Sequence, residues 1–220
     1  MSKHDETLRQ KAVENVREMI LNGVLKPGER LILEDLAKDL NMSRLPIREA
    51  IRQLQAEGLI TVINHKGTFV SKLTTKDVQD VYKIRSILEG EAAKLGTKLI
   101  SQDDIKKMES ILELMEQNNL AAYGPKNWLN MNEKFHLILY EATGNQRIVK
   151  MISNLMVETS SYVRLAVIIE GQKPRAKSYH RKILEAVKKR DGEKAEALTK
   201  EHLHLTEQTV IEYLIKTCAT

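Results

Sequence analysis

Cysteine occurs once in these 220 residues, at Cys218. No internal disulfide framework can form, and the thiol count suits a reducing cytoplasm. No apolar run approaches membrane-spanning length, and Met1 to Gln10 is polar, without the apolar core of a signal peptide. Internal repeats and low-complexity tracts are missing as well. Neither sign of charge dominates: residues 1–75 carry 12 basic against 10 acidic side chains, the remainder 23 against 20. A nucleic-acid function therefore has to rest on the spacing of basic residues, because net charge supports it only weakly. The composition predicts a soluble cytoplasmic protein with no membrane partner, beginning with a loose tail that includes His4. The length suffices for one large or two small domains.

Basic residues are concentrated by spacing at Ser43-Arg44-Leu45-Pro46-Ile47-Arg48-Glu49-Ala50-Ile51-Arg52. Ser43 can act as an N-cap, and Arg44, Arg48 and Arg52 follow at i, i+4 and i+8 on one face. Ala50, Ile51 and Leu54 occupy another face and can be buried, leaving the arginines as an outward row about 6 Å apart. Such a row fits a DNA groove. Upstream, Leu33 to Leu40 reads as a short amphipathic helix and Asn41-Met42 as a tight connection, together a helix-turn-helix. Gly58 stops the second helix. Leu59 to Ile63 and Thr68 to Ser71 read as strands joined across Asn64-His65-Lys66-Gly67, a hairpin with a polar, basic tip. The unit over residues 1–73 is thus a winged helix-turn-helix.

The residues Pro27-Gly28-Glu29-Arg30-Leu31, Leu36-Ala37, Ser43-Arg44-x-Pro46-Ile47-Arg48-Glu49-Ala50-Ile51-x-x-Leu54 and Glu57-Gly58-Leu59-Ile60 resemble the DNA-binding domain of GntR-family bacterial transcriptional regulators. The resemblance implies that Arg44 and Arg48, with Gly67 at the wing tip, contact operator DNA. Ser43, Pro46, Arg52, His65 and Lys66 complete the expected DNA-facing set. Some members place a further DNA-contacting arginine in the preceding helix, where this chain has Glu34.

From Thr74 onward helical periodicity takes over, punctuated at Gly96, Tyr123-Gly124-Pro125, Gly144-Asn145, Gly171 to Pro174 and Asp191-Gly192, which predicts about six helices over 74–220. Ser101-Gln102-Asp103-Asp104 reads as a variant capping box, followed by an Ile105, Met108, Leu112, Met115 core stripe. The first long helix, 76 to 95, carries Val78, Val81, Leu88, Ala92 and Leu95 on one side with Arg85 among them. Two readings of Arg85 stand open: an ion pair with Glu89 at i+4 or escape to water, and a cationic anchor for a carboxylate ligand.

Asn132 and His136 lie at i, i+4 on a helix whose apolar positions include Trp128, Phe135 and Leu139. His180 precedes Ile183, Leu184 and Val187, and His202 lies between Leu198 and Leu205. A single inward imidazole is ordinarily a core residue, but three on three helices raise the case for a shared metal site. His204 points elsewhere, about 200° round its helix from His202.

This half resembles the helical effector-binding (FCD) domain of the FadR-type branch, through Arg85-x-x-Leu88-Glu89, Phe135-His136 with Gly144-Asn145, His180-x-x-Ile183-Leu184-x-Ala186 with Arg190-Asp191, and Ala195 to His202-Leu203. Metal-binding members hold a divalent ion, often zinc, with an Asp and three His. The histidines match His136, His180 and His202, while the Asp position is Asn132 here. The resemblance implies a divalent metal, zinc with nickel or manganese as alternatives. It also implies a small carboxylate or hydroxy-acid effector and a homodimer on a pseudo-palindromic double-stranded operator. An Asn brings no negative charge, so the site binds metal less strongly and favours an anionic effector. Two rivals remain: a metal-dependent hydrolase, and a regulator sensing the metal itself. Glu133 is rotated about 100° from Asn132 and is a poor general base, and no other nucleophile or phosphate-binding loop is present.

Overall fold

The computed structural model describes residues 3–117, 120–170 and 173–218. It divides the chain into two compact units, Met1–Thr74 with Met156–Ser161, and Thr75–Leu155 with Tyr162–Thr220.

The first unit runs α1 (Lys3–Leu21), β1 (Arg30–Leu31), α2 (Leu33–Asp39), α3 (Arg44–Ala56), β2 (Ile60–Ile63) and β3 (Gly67–Val70). The expected loose tail is corrected: helix α1 begins at Lys3. Its apolar residues Ala12, Val13, Val16 and Ile20 recur with helical spacing and are buried with Ile47, Ala50, Ile51 and Leu54 of α3. Arg17 adds a bidentate bridge to Glu57, with Nη2 to the two carboxylate oxygens at 2.8 and 2.6 Å. The sheet has three antiparallel strands in the order β1-β3-β2 rather than the two expected. Two residues are too few for β1 to show an alternating pattern. Asn41 takes φ 50° in the connection between α2 and α3, and Gly58 takes φ 77° after α3. Both are left-handed conformations that reverse the chain. Gly67 belongs to β3, paired with Ile63, so the wing turn is Asn64-His65-Lys66, one residue shorter than expected.

The second unit contains α4 (Thr75–Leu99), α5 (Gln102–Gln117), α6 (Leu120–Glu141), α7 (Gln146–Glu170) apart from Met156–Ser161, α8 (Lys173–Lys188) and α9 (Gly192–Cys218). Six helices over the described residues match the expectation, and the class is mainly α. Helix α4 packs along α9 and also meets α6 and α8. The capping box holds: Asp104 N donates to Ser101 Oγ at 3.1 Å, and Ser101 Oγ donates to the Asp104 carboxylate at 2.7 Å. The stripe Ile105, Met108, Leu112 and Met115 is buried. Asn145 and Asp191 cap the starts of α7 and α9 through their side-chain oxygens.

Several expected interruptions are not interruptions. Gly96 lies inside α4 and is buried. Tyr123-Gly124-Pro125 lies inside α6. Pro174 falls in the first turn of α8, a position proline tolerates, while Gly171 and Gln172 lie outside the described residues. Leu95, expected on the buried side of α4, is exposed. The buried row centres on Val78, Arg85, Glu89 and Gly96, about 100° round the helix from Leu95.

Candidate nucleic-acid interface and buried histidine centre

Helix α3 presents the expected row. Ser43 occupies the N-cap with extended backbone, φ −71° and ψ 164°, though its hydroxyl makes no capping bond. Pro46 sits half-buried in the first turn, where its missing N–H has no helical acceptor. Arg44, Arg48 and Arg52 are all exposed, while Ile47, Ala50, Ile51 and Leu54 hold the opposite face in the core. Two of the three guanidinium groups already have carboxylate partners: Arg44 Nη1 lies 3.1 Å from Glu34 Oε1 of α2, and Arg52 Nη1 lies 3.2 Å from Glu49 Oε1. Arg48 makes no ion pair among the described residues.

At the wing, His65 and Lys66 are exposed, and His65 takes φ 62°. Gly67 takes φ 117°, and a Cβ built there would lie 3.2 Å from Arg30 Nε and 3.5 Å from its Nη2. The arginine side chain of β1 therefore runs along the bare backbone of the wing tip. Sequence reading missed Arg30 as a wing residue because its proximity arises from the β1–β3 register, Arg30 opposite Phe69.

In the second unit three helices bring their imidazoles together. His136 of α6, His180 of α8 and His202 of α9 are buried, with ligand nitrogens all within 4.8 Å of one another. His136 Nε2 and His180 Nε2 are 3.1 Å apart. A divalent ion at about 2.05 Å from each nitrogen would separate two ligands by about 2.9 Å at a right angle and about 3.4 Å at the tetrahedral angle. The His136–His180 spacing falls inside that interval, so this pair fits one ion, with His202 the third nitrogen within 4.8 Å. Burial pushes the pKa of all three histidines down. His202 falls to about 4, burial first and the Arg85 charge second, and His136 and His180 move well below the ordinary value. Neutral imidazoles are the form that ligates metal. Phe135 meets the rings of His136 and His180 edge-on, and Trp128 meets His180 the same way. Asn132 lies one turn before His136 and is half-buried. His204 is exposed and turned toward Glu207 and Gln208, as expected.

Arg85 is buried, and its Nε donates to Glu89 Oε1 at 2.6 Å. Tyr140 OH donates to the other Glu89 oxygen at 2.9 Å, and the guanidinium carbon stands 4.8 Å from the Tyr82 ring centroid. Of the two readings left open, the ion pair is present. Burial raises the Tyr140 phenol, with the Glu89 charge acting in the same direction. Burial also raises the Glu133 carboxyl, opposed by the Arg85 charge. The field of Arg85 thus reaches His136, His202 and Glu133.

A winged helix-turn-helix with an exposed arginine row, joined to an all-helical unit with a buried polar centre, defines a DNA-binding transcriptional regulator. Residues 8–70 match the model of bacterial regulatory proteins of the gntR family, and residues 80–205 match that of the FCD domain. The chain belongs to the GntR family, with an FCD domain following its DNA-binding domain. It is 33% identical to the HTH-type transcriptional regulator YdhC of Bacillus subtilis, over 82% of this chain and 80% of that one. To the Nta operon transcriptional regulator of Aminobacter aminovorans it is 30% identical over 68% and 69% of the two chains. Among solved structures, Escherichia coli McbR/YncC shares the fold at a TM-score of 0.80 and 22% identity, covering 97% of this chain and 99% of that one. A GntR-family regulator from Pseudomonas syringae gives 0.60 at 30% identity, covering 97% and 89%. These relatives are regulators rather than enzymes, which sets the hydrolase reading aside. No described helix is long and apolar enough to cross a membrane.

Proposed function

We propose that this cytoplasmic regulator binds operator DNA as a homodimer and is controlled by a small carboxylate or hydroxy acid held beside a divalent metal. The observation that carries the reading is the convergence of His136, His180 and His202, three neutral buried imidazoles on three helices. These histidines would hold the ion, with the amide oxygen of Asn132 as a fourth ligand. Zinc is favoured, with nickel or manganese as alternatives. When bound, the ion supplies a positive charge that accepts an oxygen of the effector. Because none of the four ligands is anionic, that charge is not cancelled, and an acid is the complementary ligand. Glu89 already matches the charge of Arg85, so Arg85 acts on the effector through its field and through any rearrangement of the pair. On the DNA side, Arg44 and Arg48 read base edges, while Arg52, Ser43, Pro46, His65, Lys66 and Gly67 surround them. Arg30 adds a cation to the wing.

The test is elemental analysis of protein purified without a His-tag, followed by calorimetric titration of an organic-acid panel. Bound divalent metal that is lost in His136→Ala and His202→Ala, but kept in His204→Ala, is expected. Acid binding should vanish with the metal. Metal retained in His136→Ala would overturn the site. If the metal alone changed operator affinity and no acid bound, the protein would instead sense the metal.

A further inference from the structure

Glu34 stands in the first turn of α2 and pairs across the helix-turn-helix with Arg44 at the first position of α3, 3.1 Å away. Both side chains are largely exposed, at 53% and 73%. A pair that open to solvent contributes little to folding. Its consequence lies elsewhere. A free arginine explores many rotamers and loses that freedom when it docks, whereas one leaning on a carboxylate is already partly ordered. A duplex engaged by Arg44 would bring phosphate charge near the same carboxylate, and like charges repel.

We propose that Glu34 is a specificity-determining positioning residue for operator recognition, acting through Arg44. It weakens every DNA complex through its negative charge, and it restores affinity only where Arg44 finds the base edge for which its orientation is set. Non-specific binding, which depends on phosphate charge, carries the full cost. Arg48 makes no ion pair among the described residues and has no such restraint, so the two arginines differ in kind although they repeat in sequence. This inference rests on α3 as the reading helix. Glu34 itself touches no base. Its effect runs through the guanidinium it holds.

The experiment uses the full-length parent, Glu34→Gln, Glu34→Asp, Arg44→Ala and the double variant Glu34→Gln/Arg44→Ala. The probes are a duplex enriched from a random-sequence pool by the parent, and a scrambled duplex of equal length and composition. Glu34→Gln should bind the scrambled duplex about three- to ten-fold more tightly, with a salt slope steeper by about 0.9 per DNA-bound protomer. Affinity for the selected duplex should change less than two-fold, so the specificity ratio falls. Glu34→Asp should recover most of the ratio, and in the Arg44→Ala background Glu34→Gln should no longer lower it. An unchanged ratio in Glu34→Gln, or a fall that persists without Arg44, would overturn the proposal. If the parent enriched no sequence at all, the reading of α3 would fall with it.

Discussion

Gly96 of α4 and Leu139 of α6 meet backbone against backbone: a Cβ at Gly96 would lie 2.0 Å from the Leu139 carbonyl oxygen. That crossing stands next to Tyr140, which reaches Glu89, and one turn from His136, whose ring stacks on Tyr140. The glycine therefore sets how closely the helix carrying Arg85 and Glu89 approaches the helix carrying the histidine.

Gly96→Ala should destabilise the protein by about 3 kcal/mol or more, because the obstacle is backbone and cannot rotate away. Chemical denaturation reads the loss, and metal content should fall with it because α6 must shift. Wild-type stability in this variant would mean that the two helices do not touch.

Arg85→Ala is expected to unfold more readily, by about 3 to 5 kcal/mol, since it strands the Glu89 carboxylate at 1% exposure. Replacing both partners, Arg85→Met with Glu89→Leu, should cost less than Arg85→Ala alone. Denaturation of the two variants decides it.

Metal-free protein should lose stability in acid. His202 titrates near 4 in the folded state against 6.5 ordinarily, so the unfolded chain takes up protons first as pH drops. Stability is therefore independent of this group above about pH 7, and by pH 5 it is lower by about 2 kcal/mol from His202 alone. His136 and His180 shift in the same direction and add to the slope. Denaturant midpoints of chelator-treated protein at pH 7.5 and pH 5 measure it, and identical midpoints would mean that the imidazoles are not buried as neutral groups.

On DNA, Arg44→Ala and Arg48→Ala should each cost about 1 to 3 kcal/mol on the selected duplex and little on the scrambled one. Lys66→Ala and Arg30→Ala should weaken both duplexes alike and each reduce the salt slope by about 0.9 per DNA-bound protomer. Band-shift titrations at several salt concentrations separate the two patterns. Sequence-selective loss in Arg30→Ala would make the wing a reader of bases or groove shape rather than a phosphate clamp.

Much of this protein was legible in its sequence because the decisive patterns are local. The arginines at i, i+4 and i+8, the stop at Gly58 and the capping box depend on a few neighbouring residues, and the structure places them as the spacing predicts. The histidines could be assigned to inward helix faces for the same reason. What spacing could not supply was anything that depends on which elements meet. Helix α1 carried too polar a start to be noticed, β1 exists only through pairing with β3, and Gly96 looked like a helix breaker because its function is to admit Leu139. The pairing of Arg44 with Glu34 and the 3.1 Å approach of His136 to His180 belong to the same class. Helical and strand periods follow from the backbone of each segment by itself, whereas these contacts depend on packing that buries apolar faces from distant segments together.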